Sequence, residues 1–159
     1  SSIGNFEPEP ARKFLARVAG TLGVGGHLLI GVDCKKDTKT LELAYNDPEG
    51  VTAQFNLNAL VHLNRVLKTD FDPKAFAHEA HYNESSGCIQ MFLRSLVDQR
   101  VDVCGECIHF GAGELLHTEN SYKFAPVEFG RLAGSAGFDI QKRWLDNRGY
   151  FGLYLLRAR

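Results

Sequence analysis

The chain has neither a strong charge bias nor a long apolar run, and these two absences exclude several classes of partner. Its 18 basic residues are balanced by 19 acidic ones, and no basic cluster occurs, which argues against binding to nucleic acid or to an anionic membrane surface. Every apolar run is far shorter than the roughly 20 residues of a membrane-spanning helix. With 159 residues, of which 44% are hydrophobic, the chain is still long enough to bury a core.

Regular cysteine spacing is also lacking. The four cysteines fit a reducing cytoplasm better than a disulfide framework. Cys104, Cys107 and His109 resemble half of a zinc site, but strand alternation would direct Cys104 away from the other two. Cys34 and Cys88 stand alone. We therefore predict no metal ion and a cytoplasmic location.

The clearest positive signal lies in the first part of the chain. Apolar residues recur at helical spacing over 11–22, and Gly23 supplies a left-handed stop. Leu28 to Val32 is then a short apolar run, typical of a strand covered by helices on both faces. It ends in Asp33, at the carboxyl edge where such sheets bind ligands. This order resembles the late part of class I S-adenosyl-L-methionine-dependent methyltransferases, and the resemblance implies an α/β, Rossmann-like fold.

One part of that fold is missing from the sequence. No Gly-x-Gly-x-Gly follows a predicted strand, and Ser1 to Phe6 has the character of a strand end that runs into a loop. We therefore expect the chain to be the carboxyl-terminal portion of a longer enzyme. The glycine-rich motif for the cofactor S-adenosyl-L-methionine would lie outside it, so neither cofactor-binding nor catalytic residues are assigned from the sequence.

The periodicity changes after residue 36, and this change predicts an inserted subdomain. Residues 1–36 and 125–159 are expected to form the carboxyl-terminal part of the Rossmann-like core, and residues 37–124 an inserted α+β substrate-recognition subdomain. The insertion is predicted to start with helices at 37–46 and 51–67, followed by a short helix from Asp70 with Phe76 as its anchor. Period-two patterns then predict antiparallel hairpins between 80 and 124. A helix at 127–136 and strands at 138–145 and 150–156 would complete the core.

Five short stretches resemble one family in particular. They occur in the expected order and are Ser2–Phe6, Gly31–Asp33, Ala44–Asp47, Phe55–Asn58 and Thr118–Ser121. Together they resemble the histidine-specific Nα-methyltransferases of ergothioneine biosynthesis, to which fungal dimethylallyltryptophan N-methyltransferases are related. The resemblance spans essentially the whole chain.

This resemblance implies six substrate-binding residues. Two would hold the amino acid backbone, two would form the pocket wall and two would hold the imidazole ring, namely Asn5 with Tyr45, Phe55 with Met91, and Glu119 with Ser121. The last pair lies two residues apart on a predicted strand, so a carboxylate and a hydroxyl would point to the same face and could pair with the two ring nitrogens. An analogue without those nitrogens would leave a buried carboxylate unpaired, at a cost of roughly several kcal/mol.

Each of these residues also has a simpler interpretation. Asn5 could cap the turn before the first helix, and Tyr45 could be a boundary aromatic. Phe55 and Met91 have the spacing of ordinary core residues. Glu119 could be a solvated position on a polar strand.

The sequence therefore predicts S-adenosyl-L-methionine-dependent N-methylation of the α-amine of L-histidine to trimethylhistidine, in the ergothioneine pathway, as part of a longer enzyme. The partner would be a small amino acid substrate, and the full-length form a monomer. Two alternatives stay open. The enzyme could methylate another amine, such as that of an indole amino acid. Alternatively, the chain could be a non-catalytic fragment or interaction module that self-associates through an uncovered sheet edge.

Overall fold

Four α-helices and eight β-strands form this mixed α/β chain, which a computed structural model describes from residue 1 to residue 159. The helices are α1 (Pro8–Leu22), α2 (Thr38–Tyr45), α3 (Val51–Leu67) and α4 (Pro126–Ser135). The strands are β1 (His27–Asp33), β2 (Phe76–Asn83), β3 (Cys88–Ser95), β4 (Gln99–Val103), β5 (Glu106–Phe110), β6 (Leu115–Tyr122), β7 (Phe138–Leu145) and β8 (Phe151–Ala158). None of the helices is both long and apolar enough to cross a lipid bilayer.

The chain divides into two compact units. Unit 1 contains residues 1–37, 83–88 and 120–159, and unit 2 contains residues 38–82 and 89–119. Both units therefore draw on segments that are distant in sequence. The assignment of 1–36 and 125–159 to a cofactor core and of 37–124 to substrate recognition stays a prediction.

Unit 1 is built on a three-stranded sheet with the order β1-β8-β7, in which both neighbouring pairs are antiparallel. Pro8 starts α1, where a missing N–H costs little, and Gly23 ends it with a φ of 72°. The buried core of the unit joins α1, α4 and the sheet, with Leu15, Phe129 and Tyr154 among its fully buried side chains.

The predicted burial of β1 on both faces is wrong for this chain. Leu28, Ile30 and Val32 contact the core of unit 1, but Leu29 between them is 58% exposed. Only one face of β1 is therefore covered by the core, and the residues that alternate onto its other face are exposed or half-buried. The start of the chain also differs from the prediction, since Ser2–Asn5 is a turn of 3₁₀ helix rather than a strand end.

Unit 2 contains α2, α3 and the hairpin of β4 and β5, which pair antiparallel. A second sheet has the order β2-β3-β6. The predicted helix after Asp70 is wrong: Pro73–Ala75 is a single 3₁₀ turn, and Phe76 begins β2 with its side chain 3% exposed. Phe76 packs on Phe71 and Phe110, so tertiary contacts outweigh the local helical signal.

Polar side chains from α2 and the following turn form hydrogen bonds with backbone groups on the outer edge of β2. The Asn46 amide accepts from the backbone N–H of Ala80 at 3.0 Å and donates to its carbonyl at 2.8 Å. Glu42 accepts from the backbone N–H of Tyr82 at 3.0 Å. These contacts pair the edge of the strand and connect α2 to β2.

Candidate substrate-binding site

A cavity of about 290 Å³ opens in unit 2 between α3 and β6. Its lining residues are Phe55, Asn56, Asn58, Ala59, His62, Thr118 and Glu119. Two of the six residues implied by the resemblance, Phe55 and Glu119, therefore share one cavity. Phe55 is 66% exposed, so its helical spacing does not make it a core residue.

Glu119 is half-buried in the wall of this cavity. No side chain or backbone group of the protein forms a hydrogen bond or ion pair with its carboxylate. A carboxylate removed from bulk water without a protein partner is costly unless a donor reaches it. Glu119 therefore has the environment expected of an acceptor for a ligand N–H group.

A buried hydrogen-bond network supports the floor of the cavity. Asn56 is 3% exposed, and its amide nitrogen donates to the carbonyl of Phe92 at 3.1 Å and to Nδ1 of His78 at 2.9 Å. The other ring nitrogen of His78, Nε2, lies 2.8 Å from the carbonyl oxygen of Tyr45. Because a carbonyl can only accept, Nε2 carries the proton and Nδ1 is the acceptor. His78 thus connects the cavity wall to the backbone of Tyr45.

Tyr45 and Met91 lie together in unit 2, but in an apolar cluster. Met91 is 3% exposed and packs with Leu41, Ala80 and Ile89, and Tyr45 packs against the same cluster. The carbonyl of Met91 accepts a hydrogen bond from the Thr118 hydroxyl at 3.0 Å, and Thr118 lines the cavity. The side chain of Met91 is therefore a core residue, as in its simpler interpretation. Only its backbone carbonyl is connected to the cavity wall.

Asn5 and Ser121 belong to unit 1. Asn5 is exposed at the end of the opening 3₁₀ turn. A Cβ atom on Gly4 would lie 2.7 Å from the carbonyl oxygen of Tyr122, so the opening turn contacts β6 directly beside Ser121. The simpler role for Asn5 as a helix cap is wrong, because Glu7 is the N-cap residue of α1.

Ser121 lies next to a buried charge network that the sequence did not reveal. Lys123 donates to the Ser121 hydroxyl at 2.7 Å and pairs with Asp33 at 2.9 Å. Lys36 binds the other carboxylate oxygen of Asp33 at 2.7 Å. Burial alone would raise the pKa of the Asp33 carboxyl, but hydrogen bonds from both lysines outweigh burial and hold that pKa below its usual value.

Several residues of the site had weak signals in the sequence. Asn56 and Asn58 interrupt the apolar pattern of α3, and both line the cavity. Lys123 is two residues beyond Ser121, which is the spacing of side chains on one face of a strand. His78 had no local signal, because its partners come from other elements.

Comparison with known proteins agrees with these motifs. Residues 1–158 match a family model described as histidine-specific methyltransferase, SAM-dependent. The chain belongs to this family. The resemblance found in the sequence is therefore confirmed at the level of the family.

Individual relatives cover nearly the whole chain. This chain is 45% identical over 157 residues to a histidine N-alpha-methyltransferase of Mycobacterium tuberculosis, and the matched region covers 98% of this chain and 49% of that protein. Ergothioneine biosynthesis protein 1 of Neurospora crassa is 35% identical over 98% of the chain, which corresponds to 18% of that protein. L-tryptophan methyltransferase trpM of Psilocybe serbica is 26% identical over 99% of the chain and 45% of its own length. The chain thus spans about half the length, or less, of these curated relatives.

The connection that follows β1 lacks a glycine-rich turn. In the methyltransferase fold, a glycine-rich turn after a strand allows backbone amides to approach the cofactor. The connection from β1 to α2 has no glycine and reads Cys34-Lys35-Lys36-Asp37. We therefore assign no residue of this chain to S-adenosyl-L-methionine.

Proposed function

We propose that this chain supplies the substrate-recognition half of an S-adenosyl-L-methionine-dependent enzyme that methylates the α-amine of L-histidine. The family and the relatives named above support this proposal. The observation that carries it is the half-buried, unpaired carboxylate of Glu119 in a cavity that also contains Phe55.

In this proposal, Glu119 and Ser121 bind the substrate ring. The two residues lie two positions apart on β6, so they share the same side of the strand. The carboxylate accepts a ring N–H, and the hydroxyl pairs with the second nitrogen. Phe55 contributes an apolar wall, and Asn5 and Tyr45 hold the amino acid backbone.

The chemistry requires alignment more than reactive side chains. Bound S-adenosyl-L-methionine supplies an activated methyl group to the amine. The protein must hold the deprotonated amine about 3 Å from the methyl carbon, where effective molarity lowers the barrier. Ring contacts at Glu119 would fix one end of the substrate and so restrict the position of the amine at the other end.

Isothermal titration of the full-length gene product tests the substrate assignment. We expect histidine to bind at least tenfold more tightly than leucine, and Glu119→Gln to weaken histidine binding about 10- to 100-fold, because a hydrogen bond to a charged group is lost. Glu106→Gln is the matched control, since Glu106 is exposed in the β4–β5 hairpin, and it should not change the affinity. Equal affinities for histidine and leucine would refute the proposal.

An indole amino acid is the second candidate substrate. The similarity to a protein named L-tryptophan methyltransferase supports it. An indole has one N–H and no second nitrogen, so it would leave the Ser121 hydroxyl without a ring partner. If Glu119→Ala retained full histidine turnover, the second candidate would be favoured.

We further propose that the enzyme works as a monomer in the cytoplasm. All four cysteines are free, two of them exposed, and exposed thiols persist in a reducing compartment. Light scattering of the full-length gene product and fractionation of cells test this proposal, and a dimer would contradict its first part.

A further inference from the structure

The side-chain oxygen of Asn56 has no partner within the protein. Asn56 is 3% exposed, and both of its side-chain contacts are made by the amide nitrogen, with the Phe92 carbonyl at 3.1 Å and with Nδ1 of His78 at 2.9 Å. Because a carbonyl can only accept, the atom that faces Phe92 is the nitrogen. The two donated hydrogen bonds use both hydrogens of the amide and fix the direction of its oxygen, to which no protein group donates.

Two other asparagines of unit 2 have paired amide oxygens. The Asn64 oxygen accepts from the Thr69 hydroxyl at 2.7 Å and from the N–H of Phe71 at 2.9 Å. The oxygen of Asn46 accepts from a backbone N–H at 3.0 Å. Asn56 is buried more deeply than either of them, yet its oxygen is the one without a donor. A buried amide oxygen left unpaired costs free energy, so this position calls for an N–H group from a ligand.

The unpaired oxygen faces the cavity between α3 and β6. Among the buried side-chain nitrogen and oxygen atoms that are closed off from open space, only the hydroxyl of Tyr154 in unit 1 is without a partner. The Asn56 oxygen is therefore not closed off. The cavity that contains Glu119 is the open space that Asn56 lines, so a ligand in this cavity can reach the oxygen.

The rest of the cavity wall favours a cation. The Glu119 carboxylate has no protein partner, and the Thr118 hydroxyl donates its hydrogen to the Met91 carbonyl, which leaves only lone pairs for a ligand. No lysine or arginine lines the cavity. His62, the other titratable residue of the wall, accepts from Arg65 at Nδ1 at 3.1 Å and is therefore neutral. The wall thus carries one negative charge and no positive charge.

We propose that Asn56 is a specificity-determining acceptor and that the cavity binds the imidazole ring of histidine in its protonated form, in which both nitrogens carry hydrogen. One ring N–H donates to the Glu119 carboxylate and the other to the Asn56 oxygen, and the aromatic ring of Phe55 adds a surface that attracts cations. This inference rests on the proposed function and deepens it. The scheme above pairs the second ring nitrogen with Ser121, whereas Asn56 lies in the same unit and the same cavity as Glu119.

The arrangement distinguishes rings by their N–H groups. A protonated imidazole has two, a neutral imidazole or an indole has one, and a thiophene has none. A neutral imidazole would direct the lone pair of one nitrogen at the Asn56 oxygen, and neither atom would then have a hydrogen to share. The proton balance is also met, because the α-amine must lose a proton before it can react, and a ring that gains one leaves the net charge of the bound amino acid unchanged.

Nitrogen-15 NMR of ring-labelled L-histidine bound to the full-length gene product tests the protonation. A protonated ring gives two similar nitrogen shifts, whereas a neutral ring gives two widely separated ones. We expect similar shifts at about pH 7.5, where the ring of free histidine, with a pKa of about 6.5, is mostly neutral. Widely separated shifts in the complex would overturn the inference, while a preference for histidine over leucine would still support the proposed function.

Asn56→Ala tests the acceptor itself, and Asn64→Ala is the matched control. Both substitutions remove a hydrogen-bonded amide from α3, but only Asn56 lines the cavity. In isothermal titrations of the full-length gene product, Asn56→Ala should weaken histidine binding about tenfold, as expected for the loss of a hydrogen bond from a charged group, and Asn64→Ala less than twofold. The inhibition constant of β-(2-thienyl)alanine, whose ring has no nitrogen, should change less than twofold in both variants.

Two results with Asn56→Ala would overturn the inference. Histidine binding within twofold of the wild type would mean that the oxygen makes no ring contact, and an equal weakening of histidine and thienylalanine would mean a general structural role. Thermal unfolding shows whether each variant is folded at the assay temperature. If Asn56→Ala is not, the NMR measurement decides, because it uses the unmodified protein. Equal affinities for histidine and leucine would refute the proposed function and the inference with it.

Discussion

Replacing Asn56 with leucine should destabilise unit 2 strongly, although the two side chains are of similar size. The buried amide donates to the carbonyl of Phe92 and to Nδ1 of His78. Leucine leaves both acceptors without this donor, and each such loss costs about 1–3 kcal/mol. Part of this cost is offset by the added apolar contact, worth about 1 kcal/mol. We therefore expect the free energy of unfolding to fall by about 1–5 kcal/mol.

The assay must report on the unit that carries the substitution. Trp144 is the only tryptophan, and it lies on β7 in unit 1, so its fluorescence does not report directly on α3. Hydrogen exchange of the α3 amides in increasing urea follows unit 2 instead. The control is Asn58→Leu, an exposed position on the same helix, which should change stability by no more than about 0.5 kcal/mol. If Asn56→Leu changed stability as little as the control, the argument from the buried amide would be refuted.

Three further predictions concern other parts of the structure. Leu60→Ala should destabilise unit 2 by about 2–5 kcal/mol in urea unfolding, because this side chain is 1% exposed in a core cluster; a loss below about 1 kcal/mol would contradict the packing described. Gly4→Ala should lower the melting temperature, because its Cβ would lie 2.7 Å from the backbone oxygen of Tyr122, and an unchanged melting temperature would disprove that contact. Side-chain and backbone hydrogen bonds, of which the largest contribution involves Thr52, lower the pKa of Asp47 from its ordinary value to about 2. The ionised carboxylate should therefore stabilise α3 fully above about pH 4, and this stabilisation should be lost as the pH falls toward 2. Acid titration followed by circular dichroism measures the loss, and Asp47→Asn should flatten the pH dependence.

Much of the secondary structure could be predicted from local pattern. The helix predicted at 51–67 coincides with α3, and the two terminal strands were predicted to within two residues of their boundaries. The turn after Asp70 shows where local pattern fails. Its apolar spacing suited a helix, but Phe76 is held in β2 by aromatic contacts with Phe71 and with Phe110, which comes from the distant strand β5.

The candidate site was only partly accessible from sequence. Phe55 and Glu119 were predicted as site residues, and the structure places both in one cavity. The partners of Asn56 and Ser121 were not predicted. His78 is 22 positions from Asn56, and no periodicity connects residues at such a separation.

The sequence by itself determined the family, most of the order of helices and strands, and the motif on β6 that includes Glu119 and Ser121. These properties depend on residue order and on spacing within a few positions, where apolar period, proline and glycine act directly. Only the tertiary structure decided which buried groups pair, as with Lys123 and Asp33 or Asn56 and His78. A buried donor or charge must find a partner once water is removed, and that partner is set by the path of the whole chain rather than by neighbouring residues.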